Sequence, residues 1–225
     1  MLNKYFKIIS LCSLLFISGY SYAEDQVVKQ NEDWTVQLDN ALKNKKYRTA
    51  AILASSQNSA ALIGRLKPWA ESNDTVSQWL YAKALYDEKR YEDSAKWTFI
   101  AFFFTRYDAS LCTNIYALNL EKSIVDNYPE VVEKSRSDRE TINYAVSETI
   151  DYLKAVKLDN LTTRSPVWIC ELTDKLSGRE LTLPSKDWRN IYESRLNQFI
   201  KTTTGKTEDQ DSTANNSNSS FSIGQ

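Results

Sequence analysis

Five glycines and four prolines in 225 residues leave little turn chemistry for a chain of strands. A sandwich or barrel reverses direction about every ten residues and draws on Gly, Pro, Asn and Asp clusters to do so. The same scarcity excludes a dinucleotide fingerprint or a phosphate-cradling loop. The apolar residues recur instead at helical spacing. Trp79, Ala82, Leu85 and Tyr86 share one stripe, and Ile142, Ala145, Val146, Ile150, Leu153 and Val156 share another. With 42% hydrophobic and 25% charged residues, the chain has the material for a core, and the expected fold is all-α.

The first 23 residues have the layout of a secretory signal. Lys4 and Lys7 precede the apolar run Ile8 to Ile17, and Ser21-Tyr22-Ala23 places small residues before Glu24-Asp25. That run is far shorter than the ~20 apolar residues a spanning helix needs. Residues 24–32 are polar and are expected to be a flexible start. A single helical domain is expected over 33–201, with 33–105 as hairpins and 106–201 as a C-terminal half. Residues 202–225 are rich in Thr, Ser and Asn and are expected to form a disordered tail. Without residues 1–23 the chain carries 26 basic and 29 acidic side chains. A net charge of −3 offers no basic field for nucleic acid.

Within 33–105 the helices pair. Asp33 can cap a helix carrying Trp34, Leu38, Ala41 and Leu42; after Lys43 to Lys46, Tyr47, Ala50, Ala51, Leu53 and Ala54 share a face. Residues 59–71 form a third apolar-rich helix, disturbed or ended near Pro68. Asp74 can cap a fourth, and Asp87-Glu88-Lys89-Arg90 turns it into a helix with Tyr91, Ser94, Ala95, Trp97 and Ala101. A turn this short makes an αα-hairpin. The spacing of Ala82, Leu85, Tyr91, Ser94 and Ala101 resembles the tetratricopeptide repeat (TPR), with a weaker echo 44 residues earlier. Here Lys89 stands where that family has glycine, and the period departs from the family's 34 residues. The resemblance covers roughly residues 34–105. It implies a helix-hairpin scaffold that binds other proteins, with close contact at Ala82 and Ala101.

Beyond Thr105 the pattern predicts helices over 109–122 and 124–135. It then predicts a long helix capped by Ser137, a loop over 159–166, and a short helix from Val167 to Leu176. An extended joint at Leu181 to Leu183 leads to a last helix from Pro184-Ser185. Signal removal leaves two cysteines, Cys112 and Cys170, with one possible pairing across 58 positions. Without histidine or a C-x-x-C spacing, they point to a structural disulfide in an oxidising compartment.

Candidate sites are few. The run Phe99-Ile100-Ala101-Phe102-Phe103-Phe104 is apolar all round and predicts a central core helix; Phe103 or Phe104 could instead line a groove for a partner. Trp79, Trp97 and Trp188 fit core stripes. Trp34, Trp69 and Trp168 lie near helix ends, where an indole can serve an interface. The absence of histidine excludes Ser-His-Asp, Cys-His and His-metal sites. Carboxylate pairs such as Glu130 and Glu133 occur on any helical surface, and Gly205-Lys206-Thr207 lacks the first glycine of a phosphate loop, Ile200 standing there. The expected role is non-enzymatic and needs no cofactor or metal: an exported protein, periplasmic in a bacterium and secreted otherwise, binding another protein as envelope adaptor or assembly factor. The alternatives are an inhibitor or immunity-type protein that neutralises an exported enzyme, and a carboxylate-dependent glycan hydrolase. Cleavage is expected between Ala23 and Glu24. N-terminal sequencing of the exported chain checks it, and a mature chain retaining Met1 would refute it.

Overall fold

A computed structural model describes residues 33–173 and 180–205. The expected signal segment 1–23, the start 24–32, the proposed helix stop at Gly178 and residues 206–225 lie outside the described residues. Among the described residues ten α-helices follow one another: α1 Trp34–Lys43, α2 Tyr47–Ser55, α3 Ser59–Glu71, α4 Thr75–Asp87, α5 Tyr91–Ser110, α6 Leu120–Val125, α7 Pro129–Ser135, α8 Arg139–Lys154, α9 Val167–Cys170 and α10 Trp188–Thr204. Among the described residues there is no strand, only an isolated antiparallel bridge between Cys112 and Thr182.

Short acceptor side chains start several of these helices by taking backbone N–H groups that have no helical partner. Asp33 accepts from Thr35 at 3.0 Å, Asn58 from Ala60 at 2.9 Å and Asp74 from Ser77 at 2.8 Å. The cap of α8 is Asp138 rather than the expected Ser137. Its carboxylate accepts the Thr141 N–H at 2.7 Å, which holds the carboxyl below the usual range, while the Ser137 hydroxyl donates to it.

Three turns in the first half have the same backbone. Lys45, Asn73 and Lys89 take φ of 56°, 65° and 62°. At each, the following N–H bonds five residues back: Lys46 to Ala41, Asp74 to Trp69 and Arg90 to Leu85. The left-handed residue itself bonds three back, to Leu42, Ala70 and Tyr86. This is the Schellman closure, which satisfies carbonyls left open at a helix end. The hairpins α1–α2 and α4–α5 therefore share a turn at a 44-residue offset. Buried positions follow the same offset: Leu38 with Ala82, Ala41 with Leu85, Ala50 with Ser94 and Ala54 with Thr98. Ala82 and Ala101 are fully buried, and the Ser94 hydroxyl on α5 donates to the Ala82 carbonyl on α4 at 2.8 Å. The two helices approach that closely because the residues between them are small.

The apolar run lies at the centre of α5, which is the hub of the fold. α4, α7 and α8 surround it, and α6, α9 and α10 touch it. Ile100, Ala101 and Phe104 are completely buried. Its buried hydroxyls are satisfied: Thr98 bonds Ser94 O at 2.7 Å, and Thr105 bonds Ala101 O at 2.8 Å while accepting the Trp79 indole N–H at 2.9 Å.

Several boundaries differ from the sequence pattern. α5 runs to Ser110, beyond the expected change at Thr105, because Tyr107, Asp108 and Ala109 are still covered by the C-terminal half. The expected helix 109–122 is broken: Asn114 accepts the Tyr116 N–H at 3.0 Å and opens a 3₁₀ turn, Ile115–Asn119, ahead of α6. Residues 126–128 divide the expected 124–135, with Tyr128 turned onto Trp79 at 4.9 Å between ring centroids. Pro68 does not end α3, since Leu66 and Ala70 around it are wholly buried and hold the turn closed. The expected tail begins too early at 202, because α10 continues to Thr204 and Gly205, at φ 70°, ends it. The extended joint is present: Thr113 N–H bonds Leu181 O at 3.0 Å and Leu183 N–H bonds Leu111 O at 2.7 Å.

A lysine at φ 62° carries a Cβ strain that glycine avoids. Lys89→Gly should raise stability by up to about 1 kcal/mol, and Lys89→Ala, which keeps the Cβ, should not. Denaturant midpoints of the two variants check this.

Candidate functional site

Sequence singled out Phe104, Trp168, Cys112 and Cys170, and the structure gathers all four around one buried ion pair. The side chain of Asp108 on α5 is 3% exposed and that of Arg164, which follows the 3₁₀ turn Leu158–Thr163, is 6% exposed. Arg164 Nη2 lies 3.0 Å from Asp108 Oδ1, and Nε donates to the same oxygen at 3.2 Å. Asp108 Oδ2 also accepts from the Thr75 hydroxyl at 2.6 Å and the Trp168 indole at 2.9 Å. Arg164 Nη1 donates to the Asn73 carbonyl, and Nη2 to Thr75 Oγ1 at 2.6 Å. The guanidinium stacks over the Phe104 ring at 4.2 Å. Tyr47 extends the network, donating to Asp74 at 2.9 Å with its ring edge-on to Trp168; burial, then the Asp74 charge, pushes its hydroxyl pKa up. Tyr152, bonded to Asn73 at 2.9 Å, is pushed up to about 12 by burial.

The disulfide lies beside this pair. Cys112 and Cys170 are bonded, with Cα atoms 5.3 Å apart, and Cys112 Sγ is 3.6 Å from the Asp108 carbonyl. Every face of the pair is occupied by protein, so the cluster fastens the segment 158–173 to α4 and α5. Phe104, completely buried under Arg164, is therefore part of this fastening and not a groove residue, which corrects one of the two readings of the phenylalanine run. Trp168 is likewise committed through its indole. Trp69 donates its indole N–H to Asp39 at 3.1 Å, and Arg65 pairs with the same carboxylate, tying α3 to α1. Trp34 is half-buried against the core.

Phe103 has a different setting. Together with Phe99 and Phe102 of α5, Val132 of α7 and Phe199 of α10, it forms the floor of a half-open cavity of about 340 Å³. Phe103 meets Phe199 edge-to-face at 5.8 Å and Tyr192 at 5.4 Å, so the floor is held from beneath. Three arginines, Arg106, Arg136 and Arg195, line it together with Thr98, Ser135, Gln198, Thr202 and Thr203, and among the described residues no carboxylate does. Arg195 donates to two neutral partners, Ser110 Oγ and Gln198 Oε1, both at 2.8 Å. Arg136 is exposed and has no ion-pair partner among the described residues. Arg106 reaches Glu121 at 3.3 Å, while its own Nε is buried without a partner. Burial first, and the neighbouring Arg106 charge second, lower the Arg195 pKa; burial raises that of Glu121 against the pull of Arg106. Past Arg106 a second trough continues along Leu118, Glu121, Lys122 and Val125. An apolar floor with unneutralised guanidinium groups at its edge suits a segment that is apolar on one side and anionic on the other.

Sequence reasoning named Phe103 and missed Phe99, Phe102, Arg106, Arg136, Arg195 and Phe199. Part of the signal was present: Phe99, Phe102 and Arg106 recur at i, i+3 and i+7, as do Arg195, Phe199 and Thr202 at i, i+4 and i+7. Among the described residues no group of three or more His, Cys, Asp or Glu converges as metal ligands, and no helix is long and apolar enough to cross a membrane. No protein-family model, curated protein or solved structure matches the chain significantly.

Removing one member of a buried ion pair leaves the other charge uncompensated, at a cost of roughly 3–5 kcal/mol. Arg164→Ala should lose about that much. Arg164→Ala with Asp108→Asn should recover a measurable part of it. Urea denaturation of the three chains checks this, and an unchanged midpoint for Arg164→Ala would show that the pair does not hold the halves together.

Proposed function

We propose that the protein is an exported, non-enzymatic binding module, working as an envelope adaptor or assembly factor, that takes a segment of another protein into the cavity between α5, α7 and α10. The observation that carries this reading is the lining itself: four phenylalanines with three arginines and no carboxylate. Phe99 and Phe102 leave apolar surface open beside Arg136 and Arg195, which form no ion pair among the described residues, so a segment with an apolar side and an anionic side is favoured there. The TPR-like character of the first half supports the same reading. Two hairpins with identical turns at a 44-residue offset are the kind of scaffold that presents a surface to a partner. The signal-like start and a disulfide fit an oxidising destination.

Site-specific photocrosslinking in the native host tests it. A photoreactive side chain at Phe102 should trap one discrete partner, and the same group at the exposed Ile52 on α2 should not. Arg136→Glu, on an exposed residue, should weaken the Phe102 adduct. An adduct with an exported enzyme would turn the reading to an inhibitor or immunity-type protein. Equal labelling from both positions, or none from Phe102, would overturn it.

A further inference from the structure

We propose that the same groove is occupied, when no partner is present, by the chain's own residues 206–225. The inference rests on the groove being the binding site described above, and it assigns that site a regulatory occupant.

Position comes first. α10 is one wall of the cavity, contributing Arg195, Gln198, Phe199, Thr202 and Thr203. The wall ends at Gly205, whose left-handed φ of 70° and N–H bond to Lys201 O turn the chain off the helix axis at the cavity's edge. Charge comes second. The next six residues, Lys206 to Asp211, carry three acids, Glu208, Asp209 and Asp211, against one lysine. α10 rises about 12 Å from Arg195 to Thr203, and six extended residues reach roughly 20 Å. A chain running back along α10 would therefore carry its acids toward Arg195 and Arg136, which form no ion pair among the described residues, and past Arg106, which pairs with Glu121. Size comes third. Beyond the acids, Ser212 to Ser220 is a nine-residue polar stretch, followed by Phe221 and Ile223, the only large apolar side chains after Gly205. Nine residues are enough to fold back, and the cost of closing such a loop grows only with the logarithm of its length. Tethering supplies a local concentration in the millimolar range, so a weak contact suffices to hold the site and a partner segment can still displace it.

The test uses the full chain with a photoreactive group at Phe221, irradiated in dilute solution and mapped by peptide mass spectrometry. The expected product is an intramolecular link to α5 or α10 peptides containing Phe99, Phe102 or Phe199. Glu208→Lys, Asp209→Lys and Asp211→Lys together should lower its yield roughly five- to tenfold, as should 0.5 M salt, since exposed charge pairs are screened. Combining that triple change with Arg136→Glu and Arg195→Glu should restore part of the yield, an outcome that loss of folding cannot mimic. Links scattered over the surface, links only between two copies, or a yield insensitive to the acid changes would each overturn the proposal. The partner reading fails separately: a specific Phe221 link with no Phe102 adduct in the host leaves the tail in the groove and removes the partner. Partner labelling from Phe102 that is no stronger when the three acids are reversed removes the regulation.

Discussion

The Arg164 guanidinium lies between the Asp108 carboxylate and the Phe104 ring, and this contact joins two parts of the chain that local sequence keeps independent. A buried pair costs desolvation on both sides, which is offset only when the remaining donors and acceptors find partners. Here Thr75, Trp168 and the Asn73 carbonyl provide them, and each comes from an element that the pair brings together. The disulfide from Cys112 to Cys170 encloses the same region and limits how far the segment 158–173 can leave α5 in the unfolded chain. One is a directional polar lock and the other a covalent tether, placed at and just beyond the C-terminal end of α5.

That arrangement explains why α5 can be apolar nearly all round. A helix with no polar face must be covered on every side, and α4, α7 and α8 cover most of it. α10 adds a further layer, with Tyr107, Tyr192, Phe103 and Phe199 meeting edge-to-face. Coverage is incomplete where α5, α7 and α10 diverge, and the half-buried Phe99 and Phe102 lie at that gap. The groove is thus a consequence of a hub helix with more apolar surface than its neighbours fill. The arginines around it give it a sign of charge.

The first half shows how two helical hairpins close without glycine. The Schellman closure needs a left-handed residue, and lysine takes that conformation at both hairpin turns because the paired helices bury enough surface to hold it there. The 44-residue offset accommodates α3, which is tied back to α1 through Asp39, Trp69 and Arg65.

Composition and periodicity alone determined the all-α class, the hairpins and the central burial of the phenylalanine run, because each depends on neighbours within a helix turn, and the cysteine pairing followed once the signal-like segment with Cys12 was set aside. Helix starts were legible at the Asp33 and Asp74 caps, whereas Ser137 stood in for Asp138, and the boundaries were misread at 109–135, where Asn114 caps a 3₁₀ turn and Tyr128 turns onto Trp79. Arg164 had no local signal, being one charged residue in a polar loop whose partners lie 56 and 89 positions away. The groove was half legible: its phenylalanine and arginine stripes follow helical spacing on α5 and on α10. Only the tertiary structure decided that those stripes face each other, since helical periodicity defines the face of one helix and carries no information about which other helix that face meets.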